Sequence, residues 1–447
     1  MEANKLWEKL GFNENPYSTK PLKVNKADVA LLMGRDAEQV DFLTAIEADN
    51  QGVFVLSGIP GVGKTSFFNV QQYLLESGEA PFGPKILAAR ILCPIQTSDE
   101  PKHIAIRCIQ SFCKSVEEYC LINKKTFPKE TNKIQEWVYQ NKPATLNFGI
   151  SVLGNGGNFG KEVYLPSISE TTYETLVELL TTISLEVNRE LKFFSSFIVL
   201  DNVENLHNDD LSECLTTFRD TLFTIPNIWW ILIGQSGLSS LIQSTNPKVF
   251  QRLSSSIELK PIDVENLIKA VDIRVSRFHI GKEGTSPITK EIYLKLYESS
   301  NGEIRFVFNY CHDICVNLVQ TIRKIMVTEK KGMEDSQFEK LMGTYLVKNQ
   351  IADNFSDSCL KSIITHEFEG LYLTTKEKQI LKKIGELAKV KPKDYTVCGV
   401  KTMQEFTTNY LVKFQDQYLL QRRQEGKILT YELRGISVFA LEYGLID

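Results

Sequence analysis

The feature that most constrains the fold is the stretch from Gly58 to Ser66, GIPGVGKTS, which matches the pattern G-x-x-x-x-G-K-[ST]. It follows the apolar run VFVL, which is typical of a buried strand. It precedes KTSFFNVQQYLLESG, which has helical spacing and ends in glycine. Because a phosphate-binding loop needs this order of strand, turn and helix, the stretch predicts an α/β domain that binds a nucleotide.

The residue types of this loop suit phosphate chemistry. Its glycines allow backbone N–H groups to turn toward phosphates, Lys64 supplies a positive charge, and the hydroxyl of Thr65 is a ligand for Mg²⁺. The alternative is a glycine turn with a purely structural role. The predicted nucleotide contacts are Gly58, Pro60, Gly61, Val62, Gly63, Lys64, Thr65 and Ser66.

A second apolar run, FIVL at 197–200, predicts the strand that carries an acid beside the loop. Asp201 follows at its carboxyl end, where it would hold a magnesium-bound water. The next residue is Asn202, where most ATP-hydrolysing proteins of this kind have glutamate. Either Glu204 accepts the proton of the attacking water, or Asn202 orients that water without accepting its proton. The alternative for Glu204 is a solvated acid at the start of a helix.

Three further polar residues extend the predicted site. The run IWWILIG at 228–234 predicts a third strand, lying between the first two, that aims Gln235 or Ser236 at the terminal phosphate. Arg252 precedes another short strand and would lie at a subunit edge. Arg305 lies on the first turns of a predicted helix and would reach the nucleotide. For both arginines the alternative is a surface charge or a local ion pair.

Together these elements resemble the AAA+ ATPases, and within them the initiator group of origin-recognition and replication-licensing proteins. Transposon target-selection and signal-transduction ATPases are related to that group. By this resemblance, the segments GFNENPY (11–17) and LLMGRDAEQVDFL (31–43) wrap the adenine and include Tyr17 and Arg35 as contacts. The resemblance also implies that ATP and Mg²⁺ are bound.

The same resemblance assigns roles to the remaining polar residues. Gln235 stands at the position of the first sensor, Arg252 at that of an arginine finger, and Arg305 at that of the second sensor. A finger arginine acts on a neighbouring subunit, so a homo-oligomer is implied. The expected activity is ATP hydrolysis, slowed because Asn202 replaces the usual glutamate.

The chain is predicted to contain four parts. Residues 1–262 form the ATPase domain, including a glycine-rich hairpin near 145–165 that either contacts a partner or is an idle surface hairpin. Residues 263–325 form an all-α lid of three amphipathic helices. Residues 326–370 are linker helices, and the stretch RKIMVTEKKGMEDSQ reads as a charged linker. Residues 371–447 form the last domain.

The C-terminal part has the pattern of a winged helix. A capping box from Thr374 to Glu377 begins one helix, MQEFTTNYLVKFQDQYLL predicts a second, and LLQRRQEGKILTYELRG predicts a hairpin that turns at 425–426. Basic residues outnumber acids here, although the whole chain has a net charge of -4. The alternative is a wing used only for protein contacts or packing. The predicted contacts to the phosphates of double-stranded DNA are Arg422, Arg423, Lys427 and Arg434.

Composition narrows the class of protein. The 447 residues are 43% hydrophobic and 24% charged, as in ordinary globular proteins. The charged N-terminal residues do not resemble a secretory signal, and no window approaches the ~20 apolar residues of a membrane span. Nine cysteines without a Cys-x-x-Cys pair predict reduced, packed thiols in a cytoplasmic protein without a membrane partner.

These observations predict an ATP-dependent oligomeric switch that loads onto or senses DNA through a winged helix. The alternative is a signalling or anti-phage defence regulator, in which the nucleotide state controls assembly with a protein partner. The overall acidity and Asn202 favour the second hypothesis, whereas the basic C-terminal domain favours the first.

Overall fold

A computed structural model describes residues 5–141, 144–149, 160–205, 208–281, 284–329, 335–425 and 428–446. The chain divides into two compact units. The first unit is Pro21–Lys260, and the second combines Met1–Lys20 with Pro261–Asp447. The first twenty residues therefore group with the C-terminal part of the chain.

The first unit is built on a parallel sheet. Its strand order is β2-β6-β7-β1-β8, and β3 also pairs with β6. As the sequence predicts, β7 lies between β6 and β1. A separate antiparallel hairpin is formed by β4 and β5, and the predicted glycine-rich tip at 150–159 lies outside the described residues. The strands of this unit are β1 (Gly52–Gly58), β2 (Ile86–Leu87), β3 (Cys93–Pro94), β4 (Ala144–Gly149), β5 (Gly160–Leu165), β6 (Ser195–Asp201), β7 (Ile228–Gly234) and β8 (Ser255–Leu259).

Helices bury both faces of this sheet. Alternate residues of β1 point to opposite sides, so Val53 and Val55 join one buried apolar cluster while Phe54 and Leu56 join another. Two short 3₁₀ segments, Val203–Asn205 and Leu222–Thr224, flank the eighth helix. The helices of this unit are α2 (Lys26–Val29), α3 (Asp36–Glu47), α4 (Lys64–Ser77), α5 (Pro101–Ile122), α6 (Lys129–Gln140), α7 (Tyr173–Leu191), α8 (Asn208–Asp220), α9 (Leu238–Thr245) and α10 (Pro247–Phe250); the short helix α1 (Lys5–Glu8) belongs to the second unit.

After its N-terminal segment, the second unit continues with the region predicted as a helical lid. Three helices, α11 (Val264–Phe278), α12 (Lys290–Ser299) and α13 (Ile304–Thr328), share one apolar core with the N-terminal segment. The prediction of a charged linker beginning at Arg323 is wrong for residues 323–328. They form the last turns of α13, because Ile322 and Met326 continue its buried face. Two helices follow the lid, α14 (Asp335–Gly343) and α15 (Asp353–Gly370), with the two-residue strands β9 (Leu346–Val347) and β10 (Gln350–Ile351) between them.

The C-terminal part is a winged helix, as predicted. The capping box is present, since the Thr374 backbone N–H donates to Glu377 Oε2 at 2.7 Å and the Glu377 N–H donates to Thr374 Oγ1 at 3.3 Å. Val390 pairs with Tyr431 and adds a third chain segment to the wing hairpin. The elements are α16 (Thr375–Leu387), a 3₁₀ segment (Pro392–Thr396), α17 (Met403–Glu405), a π-helical segment (Phe406–Val412), α18 (Lys413–Asp416), β11 (Leu420–Glu425), β12 (Ile428–Leu433) and α19 (Ile436–Glu442).

The architecture is therefore a P-loop α/β core with a parallel sheet, a group of helices and a C-terminal winged helix. None of the described helices has the length and apolar character needed to cross a membrane. All nine cysteines are free thiols, and eight of them are buried. The exception, Cys359, is half-buried, and burial raises the pKa of its thiol to about 11.

Candidate nucleotide-binding site and wing

The loop between β1 and α4 has a backbone that only glycine adopts readily. Gly58, Gly61 and Gly63 have φ of +153°, +75° and +99°. A Cβ atom on Gly58 would lie 2.7 Å from the carbonyl oxygen of Leu259, so the strand β8 leaves no room for a side chain there. Helix α4 begins directly after the loop, at Lys64. The N–H groups of its first turn have no acceptor within the helix and form an anion site.

The polar side chains of the loop are held in place. Lys64 Nζ donates to the carbonyl oxygens of Gly58 at 2.9 Å and Ile59 at 3.2 Å, which fixes it over the loop. Ser66 Oγ accepts from the Leu22 N–H at 3.1 Å. Because that bond engages the Ser66 hydroxyl, Thr65 is the better placed of the two for a metal ion.

The carboxyl ends of three neighbouring strands meet at the loop. Because β6, β7 and β1 are parallel and adjacent, Asp201, Gly234 and Gly58 end their strands at the same edge of the sheet. Asp201 Oδ1 accepts from the Asn202 N–H at 3.0 Å, and Asn202 itself is exposed with φ of +56°. The sequence-predicted acid therefore reaches the predicted edge.

Glu204 lies at this edge with an unusual carboxyl group. Its Oε2 is buried and has no hydrogen-bond partner among the described residues. Burial raises the pKa of the Glu204 carboxyl above its ordinary value, and the charge of Asp201 adds to the rise. The Lys64 ammonium and the Gln235 backbone N–H oppose that rise in pKa.

Gly234 is a site residue that the sequence reading missed. A Cβ atom at this position would lie 2.9 Å from Glu204 Oε2 and 2.6 Å from Leu238 Cδ2. Glycine here leaves the space that the Glu204 carboxyl occupies. Nothing in the sequence distinguishes this glycine from others that end strands, so no local signal marks it.

The oxygen atoms at this edge fit a magnesium ion. Mg²⁺ prefers one or two protein carboxylate or hydroxyl ligands together with phosphate oxygens and water. Thr65 and Asp201 supply such a pair at the loop, and the buried Glu204 oxygen lacks a partner. These donor types suit Mg²⁺, and Thr65 and Asp201 stay the predicted ligands.

The other sequence-predicted residues are placed as follows. Gln235 is exposed directly after β7, and Arg252 is exposed two residues after α10. Arg305, in the second unit, is exposed on the first turn of α13. Tyr17, in the same unit, is buried and its hydroxyl oxygen lies 2.7 Å from Ser286 Oγ, so its ring belongs to the core there.

The wing presents fewer cations than the sequence predicts. Arg422 and Arg423 are exposed on β11, but Arg423 forms an ion pair with Glu432 on β12. The Arg434 side chain is only 7% exposed because it forms an ion pair with Glu303 in the interior of the unit. This differs from the expectation that Arg434 faces DNA phosphates. Lys427, the predicted wing tip, lies outside the described residues.

Residues 403–416 form one continuous helical segment that follows α16 in the chain and combines α17, the π-helical segment and α18. This segment shows little exposed positive charge. Its exposed side chains include Met403, Thr408, Asn409 and Val412, which are neutral. Lys413 is paired with Glu377 of α16. Residues 403–416 therefore present little unpaired positive charge to a duplex.

No protein-family model matches the chain, and no curated protein matches its sequence. Alignments with solved structures extend over nearly the full length of the chain, with TM-scores below 0.5. Examples are the ORC2 protein of Aeropyrum pernix in ADPNP-ADP complexes (11% identity, TM-score 0.45, 97% of each chain) and the ORC1 protein of that organism in complex with DNA (14%, 0.44, 97% of each chain). Another is Cdc6p from Pyrobaculum aerophilum (14%, 0.42, 97% of this chain and 98% of that chain).

Proposed function

We propose that this chain is an ATP-binding switch that hydrolyses ATP slowly, assembles with copies of itself and binds duplex DNA through its winged helix. The observation that carries the nucleotide part is the phosphate loop with Lys64, Asp201 and Glu204 gathered at its edge. Oligomer formation and DNA binding rest on the sequence resemblance and on the exposed wing arginines.

In the proposed mechanism, the loop binds the phosphates of ATP. The N–H groups of the glycine turn and of the first turn of α4 donate to phosphate oxygens, and Lys64 exchanges its two carbonyl acceptors for the terminal phosphates. Thr65 and Asp201 would hold Mg²⁺, which neutralises charge on the phosphates when it is bound.

Glu204 is the proposed base for the attacking water. Burial raises the pKa of its carboxyl, which makes the carboxylate a stronger proton acceptor than an exposed glutamate. Asn202 is exposed beside it and would orient the water rather than accept a proton. Gln235 and Arg305 are proposed to sense the terminal phosphate, and Arg35 and Tyr17 belong to the segments that the resemblance assigns to the adenine.

The test of nucleotide binding is an ATP titration of wild type and Lys64→Ala. We expect ATP affinity to fall at least about 100-fold, because Lys64 supplies charge to the phosphates. Lys102→Ala is the matched control, since Lys102 Nζ also donates to a backbone carbonyl, that of Ser169 at 2.9 Å. Unchanged affinity in a folded Lys64→Ala protein would show that the loop is only structural.

Arg252 is proposed to complete the site of a neighbouring subunit. A finger arginine supplied in trans accelerates phosphoryl transfer by ~10³ or more. Mixing Arg252→Ala with Lys64→Ala subunits should therefore restore part of the activity, because some interfaces then contain one intact site. Turnover that is independent of protein concentration, from a monomer, would contradict this role.

DNA binding is proposed to use phosphates rather than base edges. Arg422 and Arg423 are exposed on one strand of the wing, where they can meet a duplex backbone. Affinity should fall steeply with salt, and ATP should strengthen it if an oligomer holds several wings along one duplex. The measurement is a titration of labelled duplex at two salt concentrations, with and without ATP, using wild type and an Arg422→Ala, Arg423→Ala variant.

A second candidate function is a signalling or defence regulator whose winged helix binds a protein. The neutral exposed face of residues 403–416 and the pairing of Arg423 and Arg434 favour it. The same duplex titration separates the two candidates. No duplex binding at low salt, with or without ATP, would remove DNA and leave the protein partner.

A further inference from the structure

Arg35 makes contacts that differ from those expected of an adenine-binding residue. Its side chain is 5% exposed, so the guanidinium lies inside the first unit. Nη2 donates to the carbonyl oxygen of Val62 at 3.0 Å. Nη1 donates to the carbonyl oxygen of Lys260 at 2.8 Å and to Glu38 Oε1 at 2.8 Å. Two of the three acceptors are backbone groups, one of them in the phosphate loop.

The bond to Val62 controls the direction of a phosphate-binding N–H group. The carbonyl of Val62 and the N–H of Gly63 belong to one planar trans peptide, so they point in opposite directions. Because Arg35 holds the carbonyl oxygen on its own side, the Gly63 N–H is directed away from Arg35. The Val62 side chain is also buried, so the peptide is fixed at both the side chain and the carbonyl.

The bond to Lys260 ties the same guanidinium to the strand that confines the loop. Lys260 follows β8, whose last residue, Leu259, lies against Gly58. Arg35 therefore links the Val62–Gly63 peptide of the loop to the residue that follows β8. Glu38 pairs with the guanidinium, so the charge of Arg35 is not left uncompensated in the interior.

We infer that Arg35 is a positioning residue for the phosphate loop and acts on the nucleotide through the Val62–Gly63 peptide. This inference rests on the proposed function, because it concerns how the loop is prepared to bind nucleotide phosphates. A loop that is already ordered binds more tightly, since binding then loses less conformational freedom.

The first experiment measures the loop without nucleotide, by amide hydrogen exchange of residues 59–64. Arg35→Met removes the donors and keeps much of the side-chain volume, and exchange in this segment should rise about tenfold or more. Arg35→Lys should give a smaller rise, because one ammonium group can still bond a carbonyl. The matched control is Arg90→Met, since Arg90 is another arginine of this unit with a largely covered side chain, 9% exposed, paired with Glu76.

Exchange at 59–64 that rises equally in Arg35→Met and Arg90→Met would overturn the inference, because it would reflect general destabilisation. Unchanged exchange in Arg35→Met would also overturn it. Arg35→Lys provides the same comparison in a milder form if the methionine variant does not fold.

The second experiment compares the affinities for ATP and GTP. If Arg35 positions the phosphate loop, Arg35→Met should lower the affinities for ATP and for GTP by the same factor, about 10-fold to 100-fold. This is the loss expected when a hydrogen bond to a charged group is misdirected. The ratio of the two affinities should stay unchanged. A selective loss of ATP affinity in Arg35→Met would show instead that Arg35 contacts the base. If wild type binds neither nucleotide, the proposed function fails, and the exchange measurement alone decides the role of Arg35.

Discussion

The phosphate-loop edge and the wing both collect charged side chains, but their charges are used differently. At the edge, Glu204 keeps a buried oxygen without a partner beside Lys64 and Asp201. On the wing, Arg423 and Arg434 are paired with Glu432 and Glu303. The edge therefore holds polar groups ready for a ligand, whereas much of the positive charge at the wing is already neutralised within the protein.

The difference shows that a count of charges does not identify a binding surface. The basic excess of the C-terminal sequence predicts four wing cations, yet Arg434 stabilises the interior of its own unit. Pairing decides which charges remain for a partner, and pairing depends on residues distant in the chain. Glu303 is 131 positions from Arg434.

The largest expected effect tests whether Arg434 is a structural residue. In Arg434→Met the carboxylate of Glu303, 13% exposed, loses its partner, and the free energy of unfolding should fall by about 3–5 kcal/mol. Arg423→Met, at a pair that is 43% exposed on the arginine side, should cost no more than about 1 kcal/mol. Urea unfolding of both variants checks this. Equal small losses would mean that the Arg434 pair behaves like a surface pair.

The next effect concerns the acid at the phosphate edge. Glu204→Gln should slow ATP turnover by about 100-fold, which is about 2.7 kcal/mol of activation free energy, while ATP stays bound. Wild-type turnover should fall as the pH drops through the raised pKa of Glu204, because protonation removes the base. Steady-state rates of wild type and variant, measured from about pH 4 to about pH 8, test both expectations. This range spans the ordinary carboxyl pKa and higher values. A slow wild-type rate that barely changes in the variant would make the protein a binding switch.

A smaller effect is expected at the wing. Arg422→Ala should weaken duplex binding about fivefold and reduce the slope of log affinity against log salt by about one, the value for one phosphate contact. Arg434→Lys is the control variant. Because Arg434 is buried, this substitution should leave the salt slope of duplex binding unchanged. If the two variants alter the slope equally, the distinction between exposed and interior wing cations fails.

The smallest effect concerns how the half-buried carboxyl of Glu204, whose Oε2 has no hydrogen-bond partner among the described residues, alters the stability of the fold. Its raised pKa means that the ionised form destabilises the folded protein above the usual carboxyl pKa. Glu204→Gln should therefore raise the melting temperature by about 1–3 °C at pH 7. The gain should shrink as the pH falls below the ordinary glutamate pKa of 4.5, where the carboxyl becomes protonated in both states. A gain independent of pH would assign it to packing.

Much of the fold was predictable because its signals are local. The strand, glycine turn and helix around Gly58–Ser66, the strand ending at Asp201, and the capping box at Thr374 are each encoded within a few residues. The short edge strands β2 and β3, two residues each, were not predictable, because they gain their order only by pairing with β6. The terminal helix α19 was likewise missed.

The sequence by itself determined the chemistry of the phosphate loop, since backbone conformation at Gly61 and Gly63 and the position of Lys64 follow from neighbouring residues. Only the tertiary structure decided the environments of Glu204, Arg35 and Arg434. Burial, the space left by Gly234 and the acceptors that Arg35 contacts all arise where distant segments meet. Such contacts depend on packing rather than on local pattern, and they set both the pKa of an acid and the charge that a surface presents.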